Sequence, residues 1–251
     1  MEKTDIDLEE KVTAKYKKWI LNYISYVFFV DPTSKPGERV YSSAGVTFIN
    51  TGERKFAVTN ERVIEEYIRI FNTDERIKFH LGPFVIDIEN RIIDANSNYD
   101  LATFEVKTYE VNRLNSQFCY IKHWDPKRIE KGEYIVFAGY AEILHKKIKS
   151  NSVYLDSTVF MEEVQSVDEM GFKFSLNDAN YRNYLSYRKN SELTKREGFS
   201  GAGVFCINQN ESILLLEPVG IIYKGMDDGQ TQKARHIDFI NKYGEIDYAC
   251  N

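Results

Sequence analysis

The sequence has little of several things that mark common protein classes. It has no basic excess: 33 Lys and Arg stand against 38 Asp and Glu, for a net charge of -5. Nothing of that kind draws a chain onto phosphate backbones, so nucleic acid is not an expected partner. It has no long apolar run. The most apolar early stretch, residues 19–30, is interrupted by Asn22 and Ser25 and falls short of the roughly 20 residues that span a bilayer. A membrane is not expected either. The opening MEKTDIDLEEK is acidic and polar, without the basic start and apolar core of an export signal. Three cysteines, Cys119, Cys206 and Cys250, are too few and too scattered for a disulfide framework or a CxxC metal site. Free thiols in a reducing cytoplasm are the expectation, and no cofactor or metal motif is read.

Alternation of strands with long helices is also lacking, which argues against a doubly wound parallel sheet. What is present is material for an all-β core: 43% hydrophobic residues in short β-branched and aromatic runs. Over residues 7–24, Val12, Tyr16, Trp19, Ile20 and Tyr23 recur at three- and four-residue steps and predict an amphipathic N-terminal helix. YVFFV, AGVTFIN and KFAVTN follow as strands separated by the turn-forming DPTSKPGER and TGERK. ERVIEEYIRIF has helical spacing, residues 77–88 and 91–94 read as strands, and DLATFEV is a further strand. The connection between two halves falls near residues 112–132, where HWDPKRIEKGE carries Pro, Gly and mixed charge. The second half repeats the strand habit in YIVFAGYA, SVYLDSTVFMEEVQSV, GFKFSL, GAGVFCIN and ESILLLEPVGIIYKG, and ARHIDFINKYGEI reads as a short C-terminal helix. The expected organisation is a helix over 1–24, one β-barrel over 25–120, a second over 121–240, and a tail over 241–251.

Three segments carry the candidate chemistry. Gly198-Phe199-Ser200-Gly201-Ala202-Gly203-Val204-Phe205 fits a tight glycine turn presenting a serine, and alone it also fits an ordinary Gly-rich hairpin. Pro218-Val219-Gly220-Ile221-Ile222-Tyr223-Lys224-Gly225 follows it, and Tyr99-Asp100-Leu101-Ala102-Thr103-Phe104 precedes it. Taken in order over residues 40–240, these pieces resemble the trypsin-like serine peptidases, in particular their cytoplasmic bacterial members. The resemblance implies an all-β fold of two antiparallel chymotrypsin-type barrels. It implies Ser200 as nucleophile, Asp100 as the triad carboxylate, and an oxyanion hole made by the amides of Gly198 and Ser200. It places Tyr223 and Gly225 along the substrate cleft and Thr194 near the floor of the specificity pocket. The sequence departs from the family in Ala202, in the absence of an Ile-Val-Gly-Gly terminus, and above all in Phe56-Ala57-Val58-Thr59-Asn60-Glu61-Arg62, where Arg62 stands at the position of the catalytic histidine.

The spacing agrees with the family layout, since 38 residues separate Arg62 from Asp100 and 100 separate Asp100 from Ser200. A guanidinium stays protonated up to a pH above about 12 and cannot take the serine proton. None of His80, His123, His145 and His236 lies in a matching context. The expectation is therefore a catalytically silent homologue that binds a peptide or protein partner. Its rivals are a hydrolase that uses Ser200 with an unconventional base, and an unrelated all-β binding protein.

Overall fold

A computed structural model describes residues 19–30, 40–121, 124, 126–139, 158–176, 199–210, 213–226 and 230–247. Strands dominate them. The first lobe is a curled sheet of β1 (Ile24–Val30), β2 (Val40–Asn50), β3 (Lys55–Thr59), β4 (Lys78–Leu81), β5 (Phe84–Ile86), β6 (Ile92–Asn96) and β7 (Leu101–Phe104). Their order is β5-β4-β1-β2-β3-β7-β6, and the two-residue β8 (Cys119–Tyr120) adds in parallel to β2. The second lobe is a closed antiparallel barrel of β9 (Tyr134–Gly139), β10 (Thr158–Asp168), β11 (Gly171–Ser175), β12 (Gly203–Asn210), β13 (Ile213–Gly225) and β14 (Thr231–His236). Its order is β10-β11-β14-β13-β12-β9. This is the two-lobed, all-β arrangement that the sequence predicts. The second lobe is closed, while the first curls without pairing its outer strands β5 and β6 among the described residues.

Among the described residues, two helices follow strands of the first lobe. The helix α1 (Glu61–Phe71) is amphipathic and buries Val63, Ile64 and Tyr67 at one- and three-residue steps, the spacing of one helical face. Here the reading of ERVIEEYIRIF holds. A short α2 (Thr108–Arg113) lies in the segment between the lobes. Of the expected N-terminal helix only Trp19 and Ile20 are described, in helical conformation, and the rest lies outside the described residues. The expected C-terminal helix is corrected. ARH completes β14, and a single 3-10 turn, Ile237–Phe239, follows it. Along β14 burial alternates strictly, with Gln232, Ala234 and His236 inside, a period of two that belongs to a strand.

Each lobe has its own apolar core, and a third cluster joins them. In it Ile24, Ile49, Phe56, Val58, Tyr99 and Leu101 of the first lobe meet Val136, Ala138, Phe205 and Ile221 of the second. Ile237, Phe239, Ile240 and Ile246 complete this cluster, so residues 240–247 form a strap that returns to the first lobe. Thr51 Oγ1 donates to Lys242 O at 2.7 Å, Thr103 Oγ1 to Gly244 O at 2.5 Å, and Ile246 N to Asp94 Oδ2 at 2.8 Å. These bonds tie residues 242–246 across to the first lobe. Among the described residues no helix is long and apolar enough to cross a membrane. Cys119 and Cys206 are free and buried, and burial pushes their thiols up to about 12 and about 11.

Candidate functional site

The site lies where β3 runs into α1, where β6 turns into β7, and where the chain enters β12. Residues 199–202 make a tight turn closed by Ala202 N donating to Phe199 O at 2.9 Å. Gly201 takes φ +81° in it, a conformation that costs a Cβ-bearing residue but not glycine. The turn is docked directly on the other lobe. Gly45 N of β2 donates across the lobes to Ser200 O at 2.7 Å, while Gly201 N donates within the second lobe to Ile222 O at 2.7 Å. A Cβ on Gly201 would meet Gly45 O at 2.2 Å, and a Cβ on Gly45 would meet Ala202 N at 2.7 Å. Thr59 Oγ1, at the end of β3, donates to the Gly45 carbonyl at 2.8 Å and fixes the same junction. Two glycines from opposite lobes therefore set how close the serine turn comes to the first lobe.

Asp100 sits at the tip of the turn between β6 and β7 with φ +53°. That is the left-handed region, which Asp and Asn enter more readily than most residues. The turn is held from both lobes. Asn60, the residue before α1, makes no capping bond with its side chain and instead donates Nδ2 to Asp100 O at 3.0 Å. From β14, Arg235 donates to Tyr99 O at 3.0 Å and Asn98 O at 3.2 Å while its guanidinium lies 4.2 Å from the Tyr223 ring centroid.

The three candidate residues converge. Arg62 donates its backbone N–H to Asp100 Oδ1 at 3.1 Å, its Nη1 lies 3.2 Å from Asp100 Oδ2, and its Nη2 donates to Ser200 Oγ at 2.5 Å. The Nη1 contact is an ion pair by distance but is misaligned as a hydrogen bond, so among the described residues Oδ2 has no hydrogen-bond partner of its own. The pair is lopsided: the Asp100 side chain is 14% exposed and that of Arg62 is 49% exposed. Burial pushes the Asp100 carboxyl above the usual carboxylate range. Arg62, its backbone amide, Arg235 and the amide of Glu61 all pull the other way without reversing the shift. The carboxylate is thus charged at some cost, and Arg62 is the group that most offsets it.

No family model matches the chain, and no curated protein matches it. Solved structures do. The chain is similar to the serine protease domain of the Sesbania mosaic virus polyprotein at 11% identity and a TM-score of 0.44, over 86% of this chain and 89% of that one. It is also similar, at 10% identity and a TM-score of 0.46 over 86% of each chain, to a structure from work on the coupled folding and binding of the intrinsically disordered Sesbania mosaic virus VPg protein. At such values the likeness assigns no residue a role. What the residues do rests on their own geometry.

That geometry places the remaining candidates as follows. Gly198 and Thr194 lie outside the described residues. The β12–β13 ladder runs as far as Gly203 opposite Ile221, and the serine turn extends it by one residue, with Ile222 N donating to Ala202 O at 2.9 Å and Gly201 N to Ile222 O at 2.7 Å. Tyr223 falls at an irregularity in the pairing with β14 and Gly225 lies opposite Gln232. Of the histidines, His123 and His145 lie outside the described residues. His80 stacks on Phe28 at 4.6 Å, and His236 bonds Asp168 O through Nε2 at 2.9 Å. Burial holds both rings below the usual histidine range. Sequence reading missed Gly45 and Arg235, because a Gly-Val step in a strand and an Arg in a C-terminal segment carry no local mark of what they touch across the lobes.

Proposed function

We propose that the chain is a trypsin-like serine-peptidase homologue of bacterial cytoplasmic type that has no working triad and holds a peptide or protein segment between its lobes. The observation that carries this reading is the 2.5 Å bond from Arg62 Nη2 to Ser200 Oγ. At the place where a base would accept the serine proton stands a donor with no lone pair to offer. A hydroxyl that accepts from a guanidinium keeps its own proton and is a poor nucleophile at neutral pH. Binding needs no such base. Ile222 is bonded to the serine turn through both its N–H and its C=O, so the stretch of β13 left for an extended segment, in the mode in which a peptide adds to a strand edge, is Tyr223–Gly225. The hydrolase alternative needs an acceptor at Ser200, and the two described histidines are engaged elsewhere.

A fluorophosphonate probe at neutral pH tests the reading. No labelling of Ser200 above a Ser200→Ala control is expected. The Arg62→His variant is expected to gain labelling, because the backbone N–H of residue 62 already holds Asp100 Oδ1 and a ring at that position lies between carboxylate and hydroxyl. General-base assistance contributes about a hundred- to ten-thousand-fold. Rapid labelling of the native chain that disappears in Ser200→Ala and survives in Arg62→Ala establishes a working base and replaces this reading with the hydrolase.

A further inference from the structure

We propose that Arg62 and Ser200 together form a binding site for the free α-carboxylate at a peptide C-terminus. This rests on the peptide-binding reading above and names what that cleft recognises. In the Arg62–Ser200 bond the guanidinium is the donor and Oγ the acceptor, so the hydroxyl proton of Ser200 is left to point at a further acceptor. A guanidinium carries five N–H donors in a fixed plane. Ser200 takes one, Asp100 faces Nη1, and the Arg62 side chain remains 49% exposed. Two kinds of donor, one hydroxyl and one cationic, thus lie side by side where the lobes meet.

A carboxylate matches this pair better than a peptide carbonyl does. It has two oxygens, one for the Ser200 hydroxyl and one for a remaining Arg62 N–H, and bonds between ionised partners are about twice as strong as neutral ones. A chain that continued past Ser200 would offer a neutral amide there, with neither the second oxygen nor the charge to meet a remaining Arg62 N–H. Preorganisation also favours the ion. The Asp100 ion pair and the backbone bond of Arg62 to the same carboxylate hold the guanidinium in place before any ligand arrives, so less freedom is lost on binding. Glu61 opposes this weakly. It neighbours Arg62 in sequence and interacts electrostatically with Asp100, and burial, then Glu65 and Asp100, push its carboxyl up.

The test uses the full chain and a pooled library of acetylated hexapeptides of random sequence, made once as free acids and once as C-terminal amides. Retained peptides are read by mass spectrometry after equilibrium dialysis. Free acids are expected to be retained at least tenfold over amides, with the preference lost in both Arg62→Met and Ser200→Ala and increased in Glu61→Gln. Equal retention of acids and amides overturns the carboxylate site while leaving the peptide cleft standing. Retention of neither overturns both. Displacement of the retained acids by equimolar acetate or inorganic phosphate shows a site for small anions rather than for a chain end, and overturns the proposal as well. Because Ser200 is only half-buried and Ser200→Ala removes one hydroxyl without filling space, Ser200→Ala remains decisive if Arg62→Met fails to fold.

Discussion

Replacing Arg62 by Met keeps most of the aliphatic stem and removes both the cation and the donor to Ser200. The Coulomb attraction at the 3.2 Å Nη1–Oδ2 separation is about 1 kcal/mol in a water-like medium and about 5 kcal/mol at an effective dielectric near 20. Half-exposure of the guanidinium pulls the true value toward the lower figure. Loss of the bond to Ser200 adds about 0.5–1.5 kcal/mol. A net loss of about 1–3 kcal/mol is expected at pH 7, or about 2–4 °C of melting temperature per kcal/mol for a chain of this size. The sign of its pH dependence is fixed by Asp100. Its carboxyl is raised in the folded state by burial, so its favourable contribution is complete at acid pH and is lost as pH rises through the folded value. Removing Arg62 raises it further, which deepens the loss above that value and spares stability below it. Urea unfolding at pH 7 and pH 4 is the assay, with midpoints compared at constant slope. The loss should shrink at pH 4, and in an Asp100→Asn background most of the pH dependence of the Arg62→Met effect should vanish. An equal loss at both pH values refutes the account of Asp100 as a buried charge held by Arg62.

Gly45→Ala places a methyl 2.7 Å from Ala202 N, and overpacking of that kind costs about 1–3 kcal/mol; an unchanged melting temperature contradicts the close lobe contact. His236 is buried, its Nδ1 has no partner among the described residues, and burial lowers its ring below the usual range. The unfolded chain therefore takes up that proton first on acidification, and stability should fall as pH drops below about 6.5. His236→Gln should flatten the slope between pH 7 and pH 5, measured by thermal unfolding, and an unaltered slope rules His236 out as its source.

The Arg62–Asp100–Ser200 grouping was legible because each residue sits in a short segment with its own pattern: KFAVTN before the helix, a buried LATF, and a glycine turn ahead of GVFC. The strand habit was legible for the same local reason. The period-two burial of TQKARH was not, since Gln232, Ala234 and His236 do not announce an inward face by residue type. Nor were the ties between lobes. Arg235 to Tyr99 spans 136 positions and Thr103 to Gly244 spans 141, and a bond across such a distance leaves no trace in either neighbourhood. Thr194 and Gly198 fall outside the described residues.

The strap over residues 240–247 reverses the order in which the molecule can be finished. The first lobe leaves the ribosome first, yet Thr51, Asp94 and Thr103 find their partners only in the last part of the chain. At about 5–20 residues per second, the 141 positions between Thr103 and Gly244 leave the Phe56 face of the curled sheet uncovered for about 7–28 s during synthesis. That interval is a window for aggregation or chaperone capture that would narrow if the strap segment were supplied earlier, as a circular permutant beginning near residue 240 would do.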